Sequence, residues 1–425
     1  MVNLKHSNTV LINLAISSII PFLIWGPFFP DLIVSISTLF FLYHTIKEKN
    51  FYYFINKPVI IFFIFCIIAI TCSLLAENIL LSFESSLFYF RIGVFSCFIW
   101  YLIDKDKSII IFFYYALILC FSALVIDGYY QYFNGENIIG FKMTGTRVSS
   151  FFGDEWIMGS YLSRLFPLLF ALFLIKQKKR FEIYYIGFLF ILVDVLIYMS
   201  GERTAFFFLN LSTIFIIILI KEYQKFRLVT FVIALICISV LSINSSELTD
   251  RMFVDTAKDM GLTKNSTEKE NNSKDEVEVT IFGPVYDSLI RTAYNMFKDK
   301  PILGHGPKMF RVLCKNEKYA VGKYSCQTHP HNFYVQLLAE TGIVGFLFLF
   351  CSLCYVLYVA LMQFKSILLK QNRYLSDYQV CLLAGMIVTL WPFSPNGNFF
   401  NNWMIVIYSL PVGFYLQSVY SKKTK

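Results

Sequence analysis

The segment that decides the fold reads Cys326-Gln-Thr-His-Pro-His-Asn-Phe-Tyr-Val-Gln-Leu-Leu-Ala-Glu-Thr-Gly-Ile-Val-Gly345. It holds two of the five histidines of the chain, His329 and His331, and it lies where a long polar segment meets an apolar run. It ends in Gly342-x-x-Gly345, which predicts a helix that starts close against its neighbours, because glycine has no side chain to hold two backbones apart. We therefore expect this stretch to bring chemistry to a membrane surface.

The composition is that of a membrane protein. Of the 425 residues, 57% are hydrophobic and 15% are charged, and 47 are Phe, whereas a soluble domain has roughly 25% charged residues. So much apolar surface predicts an all-α polytopic membrane protein. The net charge of +9 does not indicate nucleic acid, because most of the excess falls in short loops where Lys and Arg set membrane orientation. No small-residue cleavage pattern follows the first apolar segment, so we interpret it as a spanning helix.

Twelve charge-poor runs approach the roughly 20-residue length of a membrane span. They fall at about 9–29, 31–46, 58–76, 86–103, 108–127, 157–175, 182–200, 203–220, 226–243, 337–362, 377–394 and 401–418. Nineteen Lys and Arg residues occur in one set of connections and tails, and three occur in the alternate short loops. This asymmetry predicts that both termini are cytoplasmic.

The topology divides the chain into three parts. Residues 1–243 hold helices 1–9, residues 244–336 form a large external segment, and residues 337–425 hold helices 10–12 and a cytoplasmic tail. The external segment is periplasmic if the cell is Gram-negative. Within it, residues 258–280 are polar and poor in aromatics, which predicts a mobile insertion. Residues 284–300 predict a helix, since proline stands at the start and apolar residues recur at three- and four-residue spacing.

Ten cysteines are present, and eight of them lie in apolar runs, where they serve as small core residues. Cys314 and Cys326 are the two in the external segment. In an oxidising compartment they could form a disulfide that holds the chain just before His329, or they could remain free thiols. The sequence leaves both possibilities open.

His331 is a candidate general base, because a histidine with a pKa of about 6.5 needs little tuning to accept a proton near neutral pH. Asn332 follows it and could orient the ring or a substrate, and Glu340 could polarise the ring or an acceptor. The competing interpretation is a histidine that only caps helix 10. His329 is a rival base two residues away.

Arginines that face outward or lie in apolar runs indicate an anionic ligand. An arginine at membrane depth is costly and marks a functional site by default, and its guanidinium binds phosphate in a bidentate fork. The arginines in these positions are Arg91, Arg147, Arg164, Arg203 and Arg291. A lipid pyrophosphate at the outer leaflet fits this pattern. The competing interpretation is that they reach lipid headgroups or pair with nearby carboxylates: Glu202, Asp127 or Asp194.

The sequence offers little to a metal ion or a nucleotide. The short external loops carry single carboxylates and no pair, so we expect no hard-metal site. There is no glycine-rich phosphate loop and no cysteine pair with zinc partners. Asp104-Lys-Asp106 has a spacing that can hold a divalent metal, but its place between two lysines in a four-residue connection favours a solvated turn. We therefore predict no metal and no cofactor.

Four patterns together resemble one bacterial family, the O-antigen ligases. His331-Asn332, followed after nine residues by Gly342-x-x-Gly345, resembles the family's His-Asn/Ser/Gln-x9-Gly-x-x-Gly signature. Arg291 followed by Pro-Ile-Leu-Gly-His-Gly306 resembles its Arg-helix-Pro-x-x-Gly-x-Gly segment. Ser200-x-x-Arg203 is similar to its Ser-x-x-Arg step, and Arg147 with Gly153 is similar to its earlier Arg-x-x-Gly/Ser loop.

The resemblance implies a metal-independent, inverting glycosyl transfer on a GT-C-type membrane fold in lipopolysaccharide biosynthesis. The donor would be a glycan on undecaprenyl pyrophosphate, and the acceptor a sugar hydroxyl of the lipid A-core, at the periplasmic face of the inner membrane among its lipids. By analogy, His331 would be the base that deprotonates the hydroxyl. The pyrophosphate would be held by arginines: Arg203, Arg291 and Arg147.

Two features depart from the family pattern. Ligases often continue Gly-x-x-Gly with Thr-Thr, whereas Phe346-Leu347 follow here, and His305 stands where a small or apolar residue is usual. Polymerases of the same superfamily share the His and Arg segments, so a surface-polysaccharide polymerase with the same donor and a growing glycan as acceptor is the alternative. A transporter of lipid-linked glycans is less favoured, because the candidate residues gather at the outer surface and no repeat is visible.

Overall fold

The computed structural model describes residues 2–176, 179–260, 262 and 283–421. The insertion predicted over residues 258–280 lies outside the described residues, except for residues 258–260 and 262. Across the described part of the chain the secondary structure is helical. The α-helices are α1 Val2–Ser17, α2 Ile19–Trp25, α3 Phe28–Glu48, α4 Lys57–Leu74, α5 Ile79–Ser86, α6 Phe90–Lys105, α7 Ser108–Asn134, α8 Met158–Ile175, α9 Arg180–Met199, α10 Arg203–Leu219, α11 Gln224–Asn244, α12 Ser246–Thr249, α13 Asp255–Asp259, α14 Pro284–Asp299, α15 Phe310–Leu313, α16 Phe333–Leu368, α17 Asp377–Leu390 and α18 Asn402–Tyr420. A π-helical turn, Asp250–Val254, joins α12 to α13.

The predicted all-α polytopic fold is confirmed. Within the described ranges, nine helices are long and apolar enough to cross a membrane, and three shorter apolar helices accompany them: Thr9–Trp25, Arg203–Leu219 and Asp377–Leu390. Each of the twelve apolar runs in the sequence coincides with one of these segments. The first run is split at Ser18, where α1 ends and α2 begins.

The two described ends of the chain lie at the same end of the helix bundle. At the C-terminus of α18, the Tyr52 hydroxyl donates to Tyr420 O at 2.5 Å, and Ser421 Oγ donates to Asp104 Oδ1 at 2.7 Å. In α1, Asn13 Nδ2 donates to Asp106 Oδ2 at 3.1 Å, beside the α6–α7 connection. The α3–α4 and α6–α7 connections, which both carry lysines, lie at this end.

One cation counted among those connections is buried in the bundle. Arg227, in the first turn of α11, donates from Nη1 and Nη2 to the two carboxylate oxygens of Asp194 in α9 at 2.8 and 3.1 Å. Its Nη2 also donates to Thr213 Oγ1 at 2.6 Å, and its guanidinium lies 4.4 Å from the ring centre of Phe166. A buried charge persists only when it is paired and hydrogen-bonded. Arg227 therefore joins helices and does not belong to the orientation signal.

α16 departs from the predicted helix. It begins at Phe333, earlier than the predicted 337, and it is interrupted at Gly342, where φ is 64° and ψ is −166°. Residues with a side chain rarely adopt this conformation. The Gly342-x-x-Gly345 pattern thus lies at a kink between two helical parts of α16, and the second part starts close against residues 302 and 303, as the sequence predicts.

The loop of residues 301–306 fills this break from outside. Ile343 N donates to Pro301 O at 2.8 Å, and Gly306 N donates to Glu340 O at 2.8 Å. A Cβ atom on Gly304 or on Gly342 would overlap backbone atoms of the opposite segment. The two glycine patterns of the sequence are therefore two halves of one backbone contact, which we call the glycine joint: residues 301–306 against the α16 break.

The external helix is present where it is predicted, as α14, and its buried face packs against α16. Its buried residues are Ser288, Leu289, Thr292, Ala293 and Met296. His305 lies beneath this helix and is only 2% exposed, and its Nε2 is 3.0 Å from Met296 O. Cys314 and Cys326 are joined in a disulfide, with their Cα atoms 4.9 Å apart. The disulfide closes the loop that leads to His329.

Candidate functional site

His331 lies in a small polar group just before the start of α16. Its Nε2 is 2.6 Å from Gln327 Oε1, and an amide oxygen can only accept, so Nε2 donates. The ring packs edge-on against Tyr286 of α14, with centroids 5.4 Å apart, and against His329 at 4.0 Å. The stretch of residues 326–345 is thus brought against α14.

The backbone at His331 is strained. Its φ is 55°, in the left-handed region that residues other than glycine seldom occupy. Asn396 N, in the α17–α18 connection, donates to His331 O at 2.7 Å and holds this conformation. Strain of this kind persists where the surroundings enforce it, and it concentrates at functional sites.

Asn332 acts as the cap of α16. Its Oδ1 accepts from Tyr334 N at 3.0 Å and Val335 N at 3.2 Å, and its Nδ2 donates to Pro392 O at 2.8 Å. With both ends of its amide used, Asn332 anchors the helix start to the α17–α18 connection. Because Asn332 caps the helix, the alternative in which His331 serves as the cap is wrong.

Both histidines favour the neutral form. Burial lowers the pKa of His331, and the backbone of Asn396 offsets this only partly. Burial, together with the charge that His331 would carry, lowers the pKa of His329 to about 3. The Nε2 of His329 is buried without a hydrogen-bond partner among the described residues. A neutral imidazole keeps one lone pair free, so each ring can accept a hydrogen bond, and the strongly lowered pKa makes His329 a weak base near pH 7.

Glu340 belongs to the scaffold and does not contact the ring of His331. Its carboxylate accepts from Phe310 N at 3.2 Å and from Gln336 Nε2 at 3.0 Å. It therefore fixes the segment that follows the glycine joint, and the prediction that it polarises the histidine finds no contact to support it.

A second group, of arginines, surrounds the turn between α9 and α10. Arg147 Nε donates to Ser200 O at 3.2 Å, and Arg251 Nε donates to Gly201 O at 3.1 Å. Arg203 opens α10 and pairs with Asp259 at 2.8 Å. Burial lowers the pKa of Arg147 to about 10, and the charges of Arg251 and Arg203 lower it further. We call this the arginine turn: residues 200–203 with Arg147 and Arg251.

Glu202 does not neutralise this group by direct pairing. Its two carboxylate oxygens accept from Gly159 N at 2.6 Å, Ser160 N at 3.0 Å and Ser160 Oγ at 2.8 Å, at the start of α8. Burial raises the pKa of Glu202 to about 6, despite these hydrogen bonds. The carboxylate that the sequence offers as a partner for the arginines is used as a helix cap.

α8 connects the two groups. Ser160 binds Glu202 of the arginine turn, and Arg164, one helical turn later, donates from Nη2 to Asn396 Oδ1 at 3.2 Å. Asn396 in turn holds the backbone of His331. Four residues of α-helix rise by about 6 Å, so the supports of the two groups lie one turn apart on a single helix.

Arg291 and Arg91 are less closely tied to these groups. Arg291 lies on α14 and pairs with Asp287 at 2.6 Å, with its side chain 49% exposed. Arg91 pairs with Asp31 at 2.5 Å, in the first turn of α3. Arg91 thus forms an ion pair with a nearby carboxylate, which is the competing interpretation given for these arginines.

Sequence reasoning missed several residues of the site. Gln327 stands four residues before His331, inside the quoted stretch, and this spacing was the available signal. Asn396 and Arg251 carry no local signal, because their partners lie far away in the chain: Asn396 bonds Arg164 across 232 positions. Only the folded structure brings them to the site.

Residues 186–350 match the family model described as O-Antigen ligase. This range runs from α9 into α16 and contains Arg203, Arg291 and His331, whereas Arg147 and the α17–α18 connection lie outside it. The resemblance stated from the sequence is confirmed for this range. No curated protein matches the chain. The match indicates a bacterial membrane enzyme of ligase or polymerase type, which acts on lipid-linked glycans and polysaccharides in general.

Proposed function

We propose, from the O-antigen ligase match of residues 186–350, that this protein transfers a glycan from undecaprenyl pyrophosphate to a sugar hydroxyl of the lipid A-core. The transfer would invert the anomeric carbon, need no metal, and occur at the periplasmic face of the inner membrane. His331 is the base in this scheme, and the arginine turn with Arg291 receives the pyrophosphate.

The observation that carries the proposal is the state of His331. Its ring is kept neutral by burial, its Nε2 proton is committed to Gln327, and its backbone is held in a strained conformation by Asn396. Nδ1 is then the atom that takes the proton of the acceptor hydroxyl as the oxygen attacks the anomeric carbon. A positioned base typically contributes about 10²–10⁴-fold to such a step.

The leaving group explains the arginines. When the bond from the anomeric carbon to the phosphate oxygen breaks, the electron pair leaves with the pyrophosphate, whose negative charge grows. Guanidiniums already in place stabilise this charge without reorganising. The donor is activated by its bond to pyrophosphate, so the transfer suits a compartment without nucleoside triphosphates.

The test is transfer in vitro with purified protein, a lipid-linked glycan and lipid A-core. We expect His331→Ala to lose about 10²–10⁴-fold in rate. His329→Ala should lose less, because the Thr328 hydroxyl, 2.9 Å from His329 Nδ1, can donate or accept and does not fix a ring proton as the Gln327 carbonyl does. Full activity of His331→Ala would remove the base assignment. Activity abolished by a chelator, and restored by a metal, would overturn the metal-independent mechanism.

The alternative is a polysaccharide polymerase with the same donor. Phe346-Leu347 after the glycine joint, in place of the Thr-Thr frequent in ligases, favours it. Product analysis separates the two functions. A ligase leaves the glycan on lipid A-core, whereas a polymerase leaves a longer glycan on the lipid carrier.

A further inference from the structure

The loop of residues 301–306 contacts two spanning helices at once. Pro301 O accepts from Ile343 N at 2.8 Å, at the break of α16. On the other side of the loop, a Cβ on Gly306 would lie 2.6 Å from the Cβ of Ala76, two residues after the end of α4. Both α4 and α16 are long and apolar enough to cross a membrane. The loop therefore lies where α4 leaves its span and where the second part of α16 begins.

The exposed apolar surface of both helices ends at this loop. In α16, residues 332–342 are all buried or half-buried, whereas exposed apolar side chains recur after the break at Ile343, Leu347 and Phe350. In α4, Leu74 is exposed at the end of the helix. An exposed apolar row on a spanning helix faces lipid, since water would solvate it poorly. The loop thus marks the edge of the hydrocarbon region at this end of the bundle.

Ile302 presents an apolar side chain at this edge. Its carbonyl oxygen is the atom that a Cβ on Gly342 would meet first, so its backbone is held in the glycine joint. Its side chain is nevertheless 64% exposed. Ile302 therefore continues the lipid-facing row that starts at Ile343, and contact with the acyl chains would remove its side chain from water.

Two lysines stand just before Ile302 in the chain. Lys298 Nζ lies 5.1 Å from the ring centre of Tyr294, and Lys300 is exposed. Two residues of extended chain span at most about 7 Å, and each headgroup layer of a bilayer is roughly 5–7 Å thick. Lys300 therefore lies within headgroup reach of Ile302. Tyrosine and lysine suit this layer, because each has an apolar body and a polar tip.

The carboxylate between these lysines is already used. Asp299 is bound by Lys318 and, at 2.7 Å, by the Tyr319 hydroxyl. Within the described ranges, neither Lys298 nor Lys300 forms an ion pair. The phosphate of an anionic lipid has the charge and the depth that fit both ammonium groups, since an anionic surface attracts each nearby lysine.

We propose that residues 294–302 form an interfacial anchor that docks on the lipid leaflet at this end of the bundle. Ile302 enters the edge of the hydrocarbon, and Lys298 and Lys300 bind the phosphates of anionic phospholipids. The anchor goes beyond the proposed function, because it concerns how α14 is held at the membrane. The membrane fixes one end of α14, while Tyr286 near the other end packs against His331.

The test of position is photocrosslinking of the full-length protein in nanodiscs of equal parts phosphatidylglycerol and phosphatidylcholine. Benzoylphenylalanine replaces Ile302 in one variant and Tyr324 in another, and mass spectrometry identifies lipid adducts. Tyr324 is the matched control, since it is 49% exposed and lies 5.8 Å from Lys323 Nζ. It follows a segment bound to Ser288, about 16 Å along α14 from Asp299. We expect lipid adducts at position 302 and none at position 324.

The test of charge is the ratio of the two lipids in the adducts at position 302. A lysine near an anionic surface contributes about 1 kcal/mol, which is about fivefold. We expect phosphatidylglycerol to exceed phosphatidylcholine by about fivefold or more. Lys298→Gln and Lys300→Gln together should bring the ratio close to one. Lys323→Gln, which removes the same charge beside an exposed tyrosine, should leave the ratio unchanged.

Two sets of results would overturn the anchor. The docking is rejected by the absence of lipid adducts at position 302, or by equal yields at positions 302 and 324. The lysine contacts are rejected by equal adducts of the two lipids, or by a preference that survives loss of both lysines. Native exchange of the His305 and Gly306 amides verifies that each variant keeps the glycine joint. Lipid adducts at position 302 in a protein that transfers no glycan would keep the anchor and reject the transferase.

Discussion

The glycine joint should fail when Gly342 is changed to alanine. The added Cβ would overlap the Ile302 carbonyl and lie 2.7 Å from Leu303 N. These are backbone atoms, so no flexible side chain can move aside. The residue would also keep a left-handed φ of 64°, which costs a non-glycine residue roughly 1–2 kcal/mol.

The loss can be estimated from the contacts that the substitution breaks. Ile343 N and Val344 N donate to the 301–306 loop at 2.8 and 3.5 Å, and a typical intramolecular hydrogen bond contributes about 1 kcal/mol net. With the backbone strain, we expect a local destabilisation of about 3–4 kcal/mol. Since each 1.4 kcal/mol is a factor of ten, the local opening equilibrium should shift by roughly two to three orders of magnitude.

Hydrogen–deuterium exchange with mass spectrometry measures this effect directly. The amides of His305 and Gly306, which donate to Ala339 O and Glu340 O in the native joint, should exchange faster by a comparable factor. Gly385→Ala is the matched control, because the nearest atom to its new Cβ is 3.7 Å away, and a helical Gly→Ala change is neutral or stabilising by up to about 1 kcal/mol. Native protection of residues 301–306 in Gly342→Ala would refute the reasoning.

Three further predictions concern the histidine loop. Stability should fall as the pH drops from about 6.5 toward 3, because the unfolded chain binds a proton at His329 that the native state, with a pKa of about 3, refuses; His329→Gln should flatten a plot of melting temperature against pH. Changing Cys314 and Cys326 to Ser should cost about 2–4 kcal/mol for a loop of this length, and mass spectrometry without reductant should find the linked peptide in the wild type and no linked peptide after reduction. Asn332→Ala should lower stability by about 1–2 kcal/mol through loss of the cap and should reduce transfer more than binding of pyrophosphate, whereas an equal loss of both would place Asn332 at the anion site.

The fold was predictable because the sequence signal of a membrane helix lies within one continuous stretch of chain. Each span needs a run of apolar residues in one stretch of chain, and the alternation of basic loops reports the order of crossings. The helix of residues 284–300 was equally readable, since its proline and its apolar spacing lie within a few turns. Arg227 shows the limit of this reasoning, because a basic residue near the end of a run can bend inward and find a carboxylate such as Asp194.

The site was predictable only in part, and for a physical reason. His331 and the arginines are chemically conspicuous wherever they stand. Their partners are ordinary: Gln327 for the ring, Asn396 for the strained backbone, a carbonyl at Gly201 for Arg251. Such residues acquire a role only through the contacts that folding creates, so their spacing in the sequence does not predict that role.

The glycine joint has a consequence for how the enzyme responds to its surroundings. It is held by amide protons and carbonyl oxygens, none of which gains or loses a proton in the physiological range, and by a close fit that salt does not screen. Ile302 is 64% exposed at its centre, so the side chain there is free to vary while the joint stays intact. The backbone contact between residues 301–306 and α16 therefore does not depend on the protonation state of His329 or His331.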